Sequence, residues 1–93
     1  MAYFALFYDV VDDFVARRTE FRPVHMEKVR AAYASGELVM GGALQEPPGA
    51  LLVFKADDRS VAEQFATTDP YVINKLVSRW TVRPWVVVTG NEA

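Results

Sequence analysis

Four short apolar runs constrain what this chain can fold into: residues 3–8 (Y-F-A-L-F-Y), 38–44 (L-V-M-G-G-A-L), 50–55 (A-L-L-V-F-K) and 80–89 (W-T-V-R-P-W-V-V-V-T). Each is short, and the first is rich in aromatic strand formers, which predicts strands rather than free-standing helices. A strand with one wet face alternates apolar and polar side chains. Y-F-A-L-F-Y, L-V-M-G-G-A-L and W-V-V-V barely alternate, so the sheet they form must be covered on both faces. Helices of the same chain can cover one. In 93 residues no element is left for the other, and the pattern therefore predicts a homodimer whose two sheets pack face to face.

Between the strands the sequence carries helix signals. Asp9 ends the first run, Asp12-Asp13 continues a polar corner, and residues 14–21 give no clear state. Pro23 suits the first turn of a helix, where its missing N–H is no loss. At 100° per residue Phe21, His25, Met26, Val29, Ala32 and Tyr33 share one face, while Glu27, Lys28 and Arg30 fall elsewhere. Gly36 supplies the stop. The Gly41-Gly42 pair marks a bulge or a close approach to the backbone. Q-E-P-P-G at residues 45–49 is a turn by composition, which makes runs two and three an antiparallel hairpin. Ser60 and Glu63 fit a capping box, starting a second helix near Val61 with Val61, Phe65 and Ala66 turned inward. Pro70 breaks that helix, and Asp69 can cap a short segment that continues over residues 72–77. Pro84 places a bulge or an edge in the last strand.

The order β-α-β-β-α-β with a four-stranded antiparallel sheet is an α+β, ferredoxin-like arrangement, here one domain over residues 1–93. A hydrophobic content of 52% beside 24% charged residues fits a folded globular chain. The net charge of −2, with Lys and Arg dispersed, offers no basic field for nucleic acid. The absence of cysteine excludes disulfides, thiolate catalysis and Cys-rich zinc sites. No signal-type start is visible and no apolar run approaches the about 20 residues that span a bilayer, so a cytoplasmic location without a membrane partner is expected.

His25 is the sole histidine and the one side chain whose ordinary pKa lies near neutrality. It admits two readings, a hydrogen-bonded residue of an apolar helix face or an acid/base group in the first turns of a helix that borders a cleft. Asp69 is explained equally by capping and by a role beside the imidazole, and Asp9 by the end of a strand. If either carboxylate accepts a proton from one ring nitrogen, it fixes the tautomer and frees the other nitrogen as a base. Ser35, Ser60 and Ser78 sit in no nucleophile elbow. A single histidine without cysteine is a poor metal set. Tyr3, Phe7, Tyr8, Trp80 and Trp85 are core, dimer contact or pocket wall, and Arg22 is an exposed arginine at the helix start or a clamp for an anionic group.

Taken together, Asp9 after an aromatic strand, Arg22-Pro23-Val24-His25, the Gly36 stop, Asp69-Pro70-Tyr71 and Val82-Arg83-Pro84-Trp85 resemble the YciI-like (YCII-related) family over nearly the whole chain. The resemblance implies a dimeric α+β barrel of ferredoxin-like subunits with a histidine and an aspartate in an active site. His25 matches the histidine of R-P-x-H, Asp69 the aspartate of D-P-Y, and Asp9 an acidic position at the end of the first strand. The chain departs from many members in having only Q-E-P-P-G where they carry a longer Gly-rich segment. The expected function is a small enzyme in which His25 is a general acid/base and Asp69 an orienting or second acid/base group, with Asp9 a further acidic candidate. Arg22, Tyr71 and Tyr8 are expected to contact substrate. Proton abstraction, elimination or isomerisation on a small organic molecule fits this set, with no cofactor. Two other readings use the same cleft. One is a non-catalytic ligand-binding or regulatory dimer; the other is a haem-binding or cofactor-free oxygenase-like protein, in which haem would take His25 as axial ligand.

Overall fold

The computed structural model describes residues 1–90. Its elements are β1 (Ala2–Val10), α1 (Phe14–Arg18), α2 (Arg22–Ala34), β2 (Leu38–Leu44), β3 (Gly49–Ala56), α3 (Ser60–Thr68), α4 (Pro70–Ile73) and β4 (Val77–Trp85). The strands form one antiparallel sheet in the order β2-β3-β1-β4. With helices returning over one face, this is the ferredoxin-like α+β fold. None of the helices among the described residues is long and apolar enough to cross a membrane.

Strand periodicity sorts β1 onto two faces. Phe4, Leu6 and Tyr8 point to the helices, beside Phe54, Leu52 and Ala50 of β3 and Pro84, Val82 and Trp80 of β4. Ala5, Phe7 and Asp9 point the other way, beside Val53, Leu51 and Gly49, and beside Arg83, Thr81 and Arg79. The core lies on the helix side, where α3 contributes Ala62, Phe65 and Ala66 and the α4 turn contributes Tyr71. Helix α2 has no buried residue. Phe21 ahead of it and Val29 and Ala32 within it rest half-buried on the core.

Several local expectations need correction. Residues 14–18, where the sequence gives no clear state, are the short helix α1. The Ser60–Glu63 capping box does not form, because the nearer Asp58 carboxylate accepts from both the Ser60 amide (2.8 Å) and the Ser60 hydroxyl. Tyr33 does not face inward and is 66% exposed. The bulge in β2 falls between Leu38 and Met40, ahead of Gly41-Gly42. The helical segment after Pro70 ends at Ile73, and Lys75 turns the chain at φ 63° so that β4 begins at Val77. That strand stops at Trp85, opposite Tyr3 of β1, and leaves Val86 and Val88 outside the sheet. Pro84 lies on an edge strand, where its missing N–H can face away from the ladder.

Candidate active site

The site is assembled around Asp69, which ends α3 and begins α4. Proline at position 70 pushes the preceding residue out of helical geometry, and Asp69 is extended at φ −73°, ψ 127°. Its carboxylate turns back to cap α4, accepting the Tyr71 amide at 3.0 Å. The side chain is wholly buried. An unpaired carboxylate there would cost several kcal/mol, and further donors offset that cost. The Tyr8 hydroxyl, from β1, donates to Oδ2 at 2.7 Å. His25 Nδ1, from the first turn of α2, lies 2.9 Å from Oδ1 and 3.0 Å from Oδ2.

A carboxylate between these groups accepts, so Nδ1 of His25 is the donor in this contact, and in the neutral ring Nε2 is the nitrogen that keeps a lone pair. Nε2 has no hydrogen-bond partner among the described residues, and Tyr71 Oη is the buried unpartnered side-chain atom there. Nε2 is therefore reachable from the cavity that His25 lines. The imidazole is held flat by stacking on Tyr71, with ring centroids 3.9 Å apart and planes 15° from parallel. Phe14 meets Tyr71 edge-on at 5.2 Å and 84°. The ring is thus fixed by a hydrogen bond at one edge and an aromatic plane on one face.

The cavity measures about 330 Å³ and lies beneath α2. Its walls come from α1 and α2 on one side and from β2 and β3 on the other, where Gly41, Gly42, Ala43, Gly49 and Ala50 take up little room. Gly49 has a further reason to be glycine. A Cβ there would stand 2.5 Å from the Tyr8 carbonyl oxygen, so a side chain would push β3 off the strand that positions Tyr8.

Burial holds both tyrosine hydroxyls above the ordinary range, and their charged neighbours differ. For Tyr8, burial, then the charge of Asp69 and the hydrogen bond to it, hold the phenol protonated far above the usual value of 10.0. For Tyr71, burial raises the pKa while Arg22, by its charge and by hydrogen bonding, and the charge of Arg18 pull against it. Tyr71 Oη is buried and its proton has no acceptor among the described residues, a defect worth about 1–3 kcal/mol unless something fills it.

Of the residues expected in the site, His25, Asp69, Tyr8 and Tyr71 come together, and Arg22 lines the same cavity. Tyr8 enters as a donor to Asp69. Asp9 is not brought to His25. It lies exposed on the other face of the sheet, in a depression shared with Phe7, Arg79, Thr81 and Arg83. The register explains this: Asp9 is one residue from Tyr8, and neighbouring strand residues face opposite ways. Sequence reasoning missed Phe14 and Arg18. Both line the cavity, and Phe14 and Arg18, four residues apart, share one side of α1. No group of three or more potential metal-ligating His, Cys, Asp or Glu side chains occurs among the described residues.

The model of the YCII-related domain matches residues 1–86. The chain belongs to the YCII-related domain family. A search of curated proteins finds no match. Among solved structures, the fold is similar to that of 5-chloro-2-hydroxyhydroquinone dehydrochlorinase (TftG) from Burkholderia phenoliruptrix AC1100, in complex with 2,5-dihydroxybenzoquinone. The TM-score is 0.76 over 90% of this chain and 93% of that one, at 16% identity. At that identity the likeness speaks for the fold, and the YCII-related site of this chain rests on its own geometry.

Proposed function

We propose that this YCII-related protein is an acid–base enzyme that acts on a small organic substrate by proton abstraction, with elimination as the favoured outcome. The observation that carries the reading is the His25–Asp69 contact at 2.9 Å with Nε2 open to a cavity. In this reading Nε2 of His25 removes a proton from the substrate. The electron pair of the broken bond forms a new double bond, and the leaving group departs with its own pair. The imidazolium left behind is stabilised by the Asp69 carboxylate, which Tyr8 holds in place, and returns its proton to solvent or to the leaving group. The dehydrochlorinase activity named for the structurally similar protein is an elimination of this kind.

Wild type, His25→Ala and Asp69→Asn, assayed against a panel of halogenated and hydroxylated small molecules, test the reading. His25→Ala is expected to lose about 10²–10⁴-fold in turnover. Asp69→Asn should fall as well, because an amide can leave the wrong ring nitrogen protonated. Turnover that survives in His25→Ala sinks the proposal. Binding without turnover in wild type would favour ligand recognition alone.

The same reading includes a homodimer through the free sheet face. What supports it is an uncovered surface bearing Phe7, Leu51 and Leu44, with Met40 69% and Trp85 47% exposed. Apolar area of this extent on an open sheet favours a partner, and a self-complementary face meets it by a two-fold axis. Sedimentation should give twice the chain mass at micromolar concentration; a stable monomer would remove this part.

A further inference from the structure

Of the seven arginines, Arg17 pairs with Asp13 and Arg59 with Glu63, each one helical turn away. The other five have no carboxylate partner among the described residues, and of these Arg18 and Arg22 line the cavity that holds His25. Arg18 rests over the Phe14 ring at 5.7 Å, which fixes its stem at the cavity wall. The same two guanidinium groups also border an adjoining groove with Arg30, so the cavity and its approach carry positive charge together.

A second observation points to the same place. Tyr71 is 4% exposed, its ring is clamped between His25 and Phe14, and its hydroxyl finds no acceptor for its proton among the described residues, the Arg22 side chain beside it being a donor. Arg22 and Arg18 are close enough for their charges to act on that hydroxyl. A buried phenol without an acceptor, beside two unpaired cations, is a set of donors waiting for one acceptor. Tyr8 shows the contrasting case, since its hydroxyl is already spent on Asp69.

The geometry points to a small organic anion as the substrate class, its charged oxygen accepting from Tyr71 Oη and from Arg22 and Arg18 while its reacting atom faces His25 Nε2. This rests on the acid–base reading for the last clause only. A carboxylate and an enolate or phenolate share the required chemistry. In this arrangement Tyr71 touches substrate through its hydroxyl and the imidazole through its ring, so it couples where the anion sits to where the proton is taken. Tyr8 is a positioning residue that acts through Asp69.

Calorimetric titration of the intact protein with salicylate and with its neutral counterpart salicylamide tests the inference without needing turnover. Wild type should bind salicylate at least about ten-fold more tightly than the amide, and added salt should shrink that preference. Arg22→Gln and the Arg18→Gln/Arg22→Gln pair should erase most of it. Tyr71→Phe, which keeps the ring stack, should weaken salicylate several-fold and leave salicylamide nearly unchanged. His25→Gln should keep the charge preference within about two-fold while abolishing turnover of any substrate found, which separates failure of this inference from failure of the acid–base reading. Equal affinity for the two probes in wild type, or an unaltered preference in the double arginine variant, overturns it.

Discussion

Helices α2 and α3 lie over the same face of one sheet and are packed in opposite ways. The nine residues of α3 bury Ala62, Phe65 and Ala66, with Phe65 against Phe54 at 5.3 Å. The two alanines let its backbone lie close to the strands. The thirteen residues of α2 bury none, and beneath it lies a cavity of about 330 Å³. The catalytic pair proposed here spans this difference. Asp69 sits at the end of the tightly packed helix, His25 in the first turn of the loosely packed one, and their contact joins the two. The fixed helix sets where the carboxylate is, and the standing helix keeps space for substrate.

If that division holds, truncation under α3 is far costlier than truncation under α2. Phe65→Ala is expected to destabilise by about 3–5 kcal/mol in urea unfolding, as for other buried aromatics. A loss near 1 kcal/mol would mean that α3 is no better seated than α2. Next in size is Tyr8→Phe, which removes a donor from a buried carboxylate and should cost about 1.5–3 kcal/mol near neutral pH.

The Tyr8 change also has a pH signature whose sign is fixed. Folded Tyr8 stays protonated well above the value of 10.0 at which an unfolded tyrosine ionises. Its contribution is therefore complete below about pH 10 and is lost as pH rises further, since the unfolded chain releases the proton first. Wild type should lose stability more steeply than Tyr8→Phe between about pH 9 and 11. Parallel slopes would show that the phenol is not held as described.

Much of this arrangement was readable from residues alone, and the failures share a cause. The β2 strand, the break at Asp69-Pro70 and the capping of α4 by Asp69 follow from local chemistry, and they appear as expected. The start of β4 was hidden because a lysine at positive φ is uncommon for a non-glycine residue and leaves no mark in composition. Residues 86–88 looked like strand because three valines favour one, but the β1–β4 ladder ends at the Tyr3–Trp85 pair, with only Ala2 of β1 beyond it. The choice between Asp9 and Asp69 could not be made before the register was known. Tyr8 and Asp9 are adjacent in sequence, and one contacts the site while the other is on the far side of the sheet. Tyr33 shared the angular stripe of His25, but α2 touches the core through a narrower band than the stripe suggests.

The smallest effect is the sharpest test of how α2 is supported. Val29 is half-buried, packs on the core and lines the cavity, so the space left by truncation adjoins space already empty. Removing two methyl groups from a fully buried valine would cost about 1.6 kcal/mol at about 0.8 kcal/mol per group. Half-burial and a neighbouring cavity reduce this to about 1 kcal/mol or less for Val29→Ala. The unfolding midpoint should fall slightly with an unchanged denaturant slope. A loss of about 3 kcal/mol, equal to that expected of Phe65→Ala, would mean that α2 closes onto the strands in solution. The cavity would then have no standing volume, and substrate would have to open it before reaching His25.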